Sequence, residues 1–201
     1  MRRIETSTTA AQVAALQLAR LAPHLPKNTL AYMDRGYDSA WLWCQLSGLP
    51  ITGTLIRLKG NRCFYRPAPP PTGKRGAPRK WGDKLQPSDK ATHADPTGEW
   101  SGQDQAGRPV EVSVWQQMHL KNAAWLDVTV VRVVRPTASR TKRDPRTSWF
   151  VWIGDPQADV AQVALGYVHR FSQEHGYRFE KQSLLWDKPR VRTPQQFTVW
   201  S

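Results

Sequence analysis

Two cysteines, Cys44 and Cys63, are all that the 201 residues contain, and with five scattered histidines they form no CxxC or Cys/His zinc pattern. The chain therefore offers neither a disulfide framework nor a structural zinc site. No run approaches the roughly 18 apolar residues of a membrane span. The opening MRRIETSTTAAQ lacks the apolar core of a secretory signal. A soluble cytosolic protein is expected, and at 39% hydrophobic residues it has enough apolar content for one domain with a core, or a core plus an elaborate insertion. Acids are scarce too. Residues 1–33 contain no Asp, and Glu5 is their only carboxylate.

What the chain has in excess is positive charge, +13 in formal terms from 29 Lys and Arg against 16 Asp and Glu. The excess is clustered. Residues 57–90 hold ten basic residues, Lys74, Arg75, Arg79 and Lys80 among them, against Asp83 and Asp89. Residues 135–146 hold Arg135, Arg140, Lys142, Arg143 and Arg146 against Asp144. A solvated surface would account for a modest excess, but clustered Lys and Arg gain affinity for a polyanion by releasing phosphate counterions.

The patterning predicts an α/β fold. Residues 7–21 read as an amphipathic helix with Val13, Leu16, Ala19 and Arg20 at near-helical intervals before Pro23. NTLAYMD, 28–34, reads as a short buried strand ending at Asp34. Asp38 is expected to cap a helix from about Ser39 to Ser47 that stops at Gly48, and PITGTLIRL returns as a strand. This order sets Asp34 at the strand edge where α/β folds usually place ligands. The Pro- and Gly-rich, basic stretch from Lys59 to Lys90 suggests a long mobile loop without packed elements. RPVEVSVWQQ, WLDVTVVRVVRP and SWFVWI then read as strands, with an earlier one at EW. Asp155 with Pro156 marks the start of a last helix. Three segments result: 1–58, helix-strand-helix-strand; 59–154, basic loop and β-rich insertion; 155–201, the closing helical part.

That last helix carries YVHRFSQEHGYRFEK, in which Tyr167, Arg170, Glu174 and Lys181 stand at offsets 0, 3, 7 and 14. At about 100° per residue they fall within roughly 60° of one another. They form one polar stripe about 21 Å long at 1.5 Å per residue. An ordinary i,i+4 pair explains Arg170 and Glu174. It leaves Tyr167 and Lys181 unexplained.

The spacing Tyr-x2-Arg-x3-Glu-x6-Lys resembles the Tyr-Arg-Glu-Lys signature of DDE transposases of bacterial insertion sequences, and YMDRGYDS resembles that family's second Asp motif. RTPQQF, Arg192 to Phe197, resembles the continuation beyond the signature. The resemblance implies a ribonuclease-H-like catalytic core, here partial, interrupted by a β-rich insertion. It implies Asp34 and Glu174 as catalytic metal ligands, for two Mg²⁺ ions in the intact family site with Mn²⁺ as substitute. Tyr167, Arg170 and Lys181 would contact DNA phosphates beside them. It further implies DNA as partner, with a second transposase subunit as the candidate protein partner, and a cytoplasmic, nucleoid-associated location. Inserted-segment aromatics can stack on an unpaired base, with Trp100, Trp115 and Trp125 as candidates, although most of ten tryptophans should fill the core. Trp149 and Trp152, of opposite parity on one strand, cannot both face DNA.

The family's first Asp, well before the second, has no counterpart in residues 1–33, and the segment from Thr193 stops after about two helical turns. The expectation is a transposase core cut at both ends and inactive by itself, against the alternative of a non-catalytic basic DNA-binding remnant.

Overall fold

In a computed structural model of the chain, the described residues are 8–71, 77–137 and 146–170, with Gly176 and Phe179. Two compact units divide the chain, Met1–Leu165 and Gly166–Ser201.

In the first unit, helix α1 spans Ala10–Leu21, closed at its start by a reciprocal box: Thr9 Oγ1 accepts the Gln12 N–H and Gln12 Oε1 accepts the Thr9 N–H. The face it turns inward is not the expected one. Ala11, Ala15 and Leu18 pack on the core, while Leu16 is exposed. Three small or flexible side chains at i, i+4 and i+7 let the helix approach closely, which the bulkier Val13 and Leu16 stripe would not.

Strand β1, Leu30–Met33, runs parallel to β2, Gly53–Arg57, with α2, Ala40–Leu46, between them. β1 lies at one end of the sheet and is half-buried, not the fully buried strand expected. Helix α2 buries Leu42, Trp43 and Leu46 and ends where Gly48 adopts φ 84°, a conformation that favours glycine. Its N-cap position is Ser39 rather than Asp38.

The stretch expected to be an unpacked loop is partly built into the sheet. β3, Phe64–Tyr65, pairs antiparallel with β4, Lys84–Leu85. Two residues each are too few to show a period, and what fixes them is burial of Phe64 and Leu85 in the core. β5, Gly98–Gln103, β6, Pro109–Leu120, β7, Ala123–Val134, and β8, Thr147–Gly154, then form an antiparallel run. β8 pairs antiparallel with β2, so the β-rich segment and the opening strands share one mixed eight-stranded sheet. Its order is β1-β2-β8-β7-β6-β3-β4, with β5 beside the first half of β6. This is an α/β fold.

Both faces of the central strands are covered, which is why β2 and β8 read as continuous apolar runs. Ile56, Val151 and Ile153 face the core under α2. On the other face Trp152 lies against Gly53, where a Cβ would come within 2.5 Å of the indole. Trp149 faces the opposite side, stacked on Trp115 with ring centroids 5.3 Å apart. Helix α3 begins at Val160 and packs against β6 and β7. Its start is four residues later than expected from Asp155 as cap and Pro156 as first position. The Asp155 side chain accepts the Gln157 N–H in a local turn, and Asp159 instead accepts the Gln162 N–H at the helix start. Among the described residues no helix is long and apolar enough to cross a membrane.

One buried polar group is expected to make the fold acid-sensitive. His119 on β6 is buried with its ring 5.6 Å from that of Trp81. Burial pushes its pKa down, and the Asp127 charge offsets this only in part. The unfolded chain then binds this proton more readily than the folded one. Stability is expected to fall as pH drops from about 6.5, the ordinary histidine value, towards the depressed folded value, and to lose no more from this group below it. Urea midpoints between pH 5 and 8 should show that His119→Gln flattens this window. Parallel curves for parent and variant would refute it.

Candidate functional site

β1 delivers Asp34 to its carboxyl end, where the chain leaves the strand and turns through Arg35–Tyr37. Asp34 Oδ1 accepts the Gly36 N–H at 2.8 Å and so caps that turn. A Cβ at Gly36 would meet the same oxygen at 2.9 Å, which accounts for glycine here. Asp34 thus has a structural task of its own, the cap of this turn. Asp38 instead reaches across to the loop after β2. Its fully buried carboxylate accepts the Lys59 N–H and the Arg62 Nε–H, each at 2.8 Å, and pairs with Arg62 Nη2 at 2.6 Å.

Glu174 and Lys181 lie outside the described residues, as do Lys74 and Arg75. In the second unit Tyr167 is buried within the turn Gly166–Val168, and the Arg170 guanidinium carbon is 5.9 Å from its ring centroid. Arg79 and Lys80 are exposed, and Arg79 stands 3.6 Å from Asp83 in an exposed pair of small energetic weight.

The three candidate stacking residues separate cleanly. Trp115 is 1% exposed, donates Nε1–H to the Ala94 carbonyl, and sits among Trp149, His93 and the Arg132 guanidinium. Its faces are occupied, which corrects its assignment as a base platform. Trp100 on β5 is half-buried, folded over Gly102. Trp125 on β7 is 67% exposed.

Among the described residues no group of three or more His, Cys, Asp or Glu side chains could hold a metal ion. Asp34 Oδ1 is engaged by Gly36, and Mg²⁺ is usually held by one or two carboxylates together with water and substrate phosphate.

A different constellation emerges that the patterning did not pick out. Lys59 and Arg62, from the loop after β2, line the same cleft as Lys121 in the turn between β6 and β7. Two of these lie in the basic cluster read from the sequence. Lys121 does not, and the only trace it leaves is a Lys-Asn pair between two strand-like runs. No family model matches the chain, and no curated protein matches it.

Proposed function

We propose that this chain is a DNA-binding protein of the DDE transposase class, with Asp34 and Glu174 as its Mg²⁺-binding carboxylates and the basic segments as its phosphate contacts. The observation that carries the reading is the Tyr167, Arg170, Glu174, Lys181 spacing together with YMDRGYDS. Support comes from the place of Asp34 at the carboxyl end of a strand in a parallel βαβ unit, the edge at which α/β proteins bind ligands. A cytoplasmic, nucleoid-associated location follows from the reading, with element ends and target DNA as partners and a second subunit as a further one.

Mg²⁺ held by these carboxylates would stabilise charge developing on a phosphoryl group. Arg170 offers a planar fork for a phosphate and Lys181 a point charge. Two carboxylates leave the second ion of a two-metal site short of protein ligands, so the expected activity of this chain is binding without cleavage.

The test is a salt titration of duplex binding. Each phosphate contact contributes about 0.9 to the slope of log affinity against log salt. The variant carrying Lys74→Ala, Arg75→Ala, Arg79→Ala and Lys80→Ala is expected to lose about 3 from that slope, less than four full contacts because Arg79 is shared with Asp83. An unchanged slope would reduce this segment to a solvated surface. Supercoiled DNA with Mg²⁺ should remain intact, and nicking that Glu174→Ala abolishes would overturn the expectation of binding alone.

A further inference from the structure

The start of α2, the loop after β2 and the β6–β7 turn enclose an open cleft of about 430 Å³. Lys59, Arg62 and Lys121 line it, with the amides of Asn61 and Asn122 and the side chain of Tyr65. No residue lining it is an Asp or Glu. Asp38, the acid bound to Arg62, has a side chain with no solvent exposure, and it is already engaged by Arg62 and by the Lys59 N–H.

We propose that this cleft is a binding site for the phosphate groups of a nucleotide or of a nucleic-acid strand end. Asp38 balances the Arg62 charge, which leaves the two lysines as a net positive charge on one space, and an anion of two or more charges compensates it. Two of the three cations are held in place beforehand. The Arg62 guanidinium is fixed on one side by Asp38, whose main-chain carbonyl also accepts from Nη2 at 2.8 Å, and it lies 5.1 Å from the Trp43 ring centroid. With Nε and Nη2 turned to Asp38, Nη1 carries the two N–H groups that remain for a ligand, a planar pair suited to phosphate oxygens. The Lys121 ammonium rests 4.9 Å from the Tyr65 ring centroid. Such supported side chains lose little rotamer freedom on binding, which is the usual cost of building a site from long basic residues.

The volume argues for more than a lone phosphate. Sites for small molecules run from about 300 to 1,000 Å³, and this cleft has room for a sugar or base beside the phosphates. Asn61 and Asn122 offer both donors and acceptors there. Lys59 and Arg62 belong to the basic segment of the proposed DNA contacts, so the inference rests in part on that reading, but none of the cleft residues belongs to the signature stripe.

The experiment is calorimetric titration of the whole chain with four probes: inorganic pyrophosphate, a nucleoside diphosphate, a 5′-phosphorylated single-stranded oligonucleotide and its unphosphorylated twin. Pyrophosphate is expected to bind. Lys59→Ala with Lys121→Ala should weaken it by about tenfold for each lysine removed. Both lysines are exposed, so the variant should keep the parent's circular dichroism and urea midpoint. Arg20→Ala with Lys27→Ala, both exposed and outside the cleft, should leave pyrophosphate affinity within a factor of about two. Tighter binding of the diphosphate nucleotide supports a free nucleotide as ligand. Tighter binding of the 5′-phosphorylated strand than of its twin supports a strand end. No binding of pyrophosphate by the parent, or equal losses in the two double variants, would overturn the proposal. Pyrophosphate binding without duplex binding would uphold the cleft and sink the transposase-class reading.

Discussion

Asp38→Ala is expected to cost about 3 kcal/mol of folding stability, far more than an aspartate beside a helix start ordinarily would. Its carboxylate is fully buried and accepts the Lys59 N–H and two Arg62 contacts. Removing one partner of a buried pair costs about 3–5 kcal/mol, because the other is left without compensation. Arg62, with its side chain 26% exposed, can turn partly to water, which sets the lower end of that range. Asp38→Asn keeps an acceptor for the Lys59 N–H and should cost less. Asp38→Ala combined with Arg62→Met should recover part of the loss, since an apolar pair replaces an orphaned charge. Urea denaturation followed by circular dichroism measures all three. A loss under about 0.5 kcal/mol for Asp38→Ala, the range of ordinary surface changes, would mean that the loop after β2 is not anchored here. Because Asp38 also aims Arg62, the same variant should bind pyrophosphate more weakly than the parent.

Asp38 shows why the site was less legible than the fold. A lone Asp before an apolar run has a local explanation, a cap, and local explanations are what spacing supports. Its actual partner lies 24 residues away, beyond helix α2 and strand β2, and no period encodes that. The same holds for Lys121, which lines one cleft with Lys59 and Arg62 although about 60 residues separate it from them in the chain. Strands β6, β7 and β8 were readable because alternation and apolar runs persist over 8 to 12 residues. β3 and β4 were not, since two residues carry no period and their placement comes from Phe64 and Leu85 reaching the core. Parity could separate Trp149 from Trp152, but it could not say which face of the sheet Trp115 shares. Absolute facing depends on what packs above the sheet. The start of α3 was misplaced because Asp155-Pro156 carries the same residues as a helix start, while the hydrogen bonds that decide it belong to Asp159.

Trp43→Ala is the change expected to damage fold and cleft together. Trp43 sits on α2 with no solvent exposure, stacked on Phe64 with ring centroids 5.9 Å apart and planes 4° from parallel, and the Arg62 guanidinium covers it. Truncating a buried tryptophan costs about 3–5 kcal/mol through lost burial and the cavity left behind. Phe64 would lose its partner, and with it the main anchor of β3, so the segment from Asn61 to Tyr65 should loosen first. Trp43→Phe distinguishes packing from polarity. The indole Nε1 is buried without a hydrogen-bond partner, and leaving such a donor unmet costs about 1–3 kcal/mol. Phenylalanine removes that donor while keeping a ring for Phe64 and Arg62, so its loss should be less than half that of alanine. Denaturant midpoints for the two variants, with pyrophosphate affinity measured on each, test the argument. Equal losses for Phe and Ala would show that the ring stack contributes little. Parent-like affinity in a folded Trp43→Ala protein would show that Asp38 alone holds Arg62 in place.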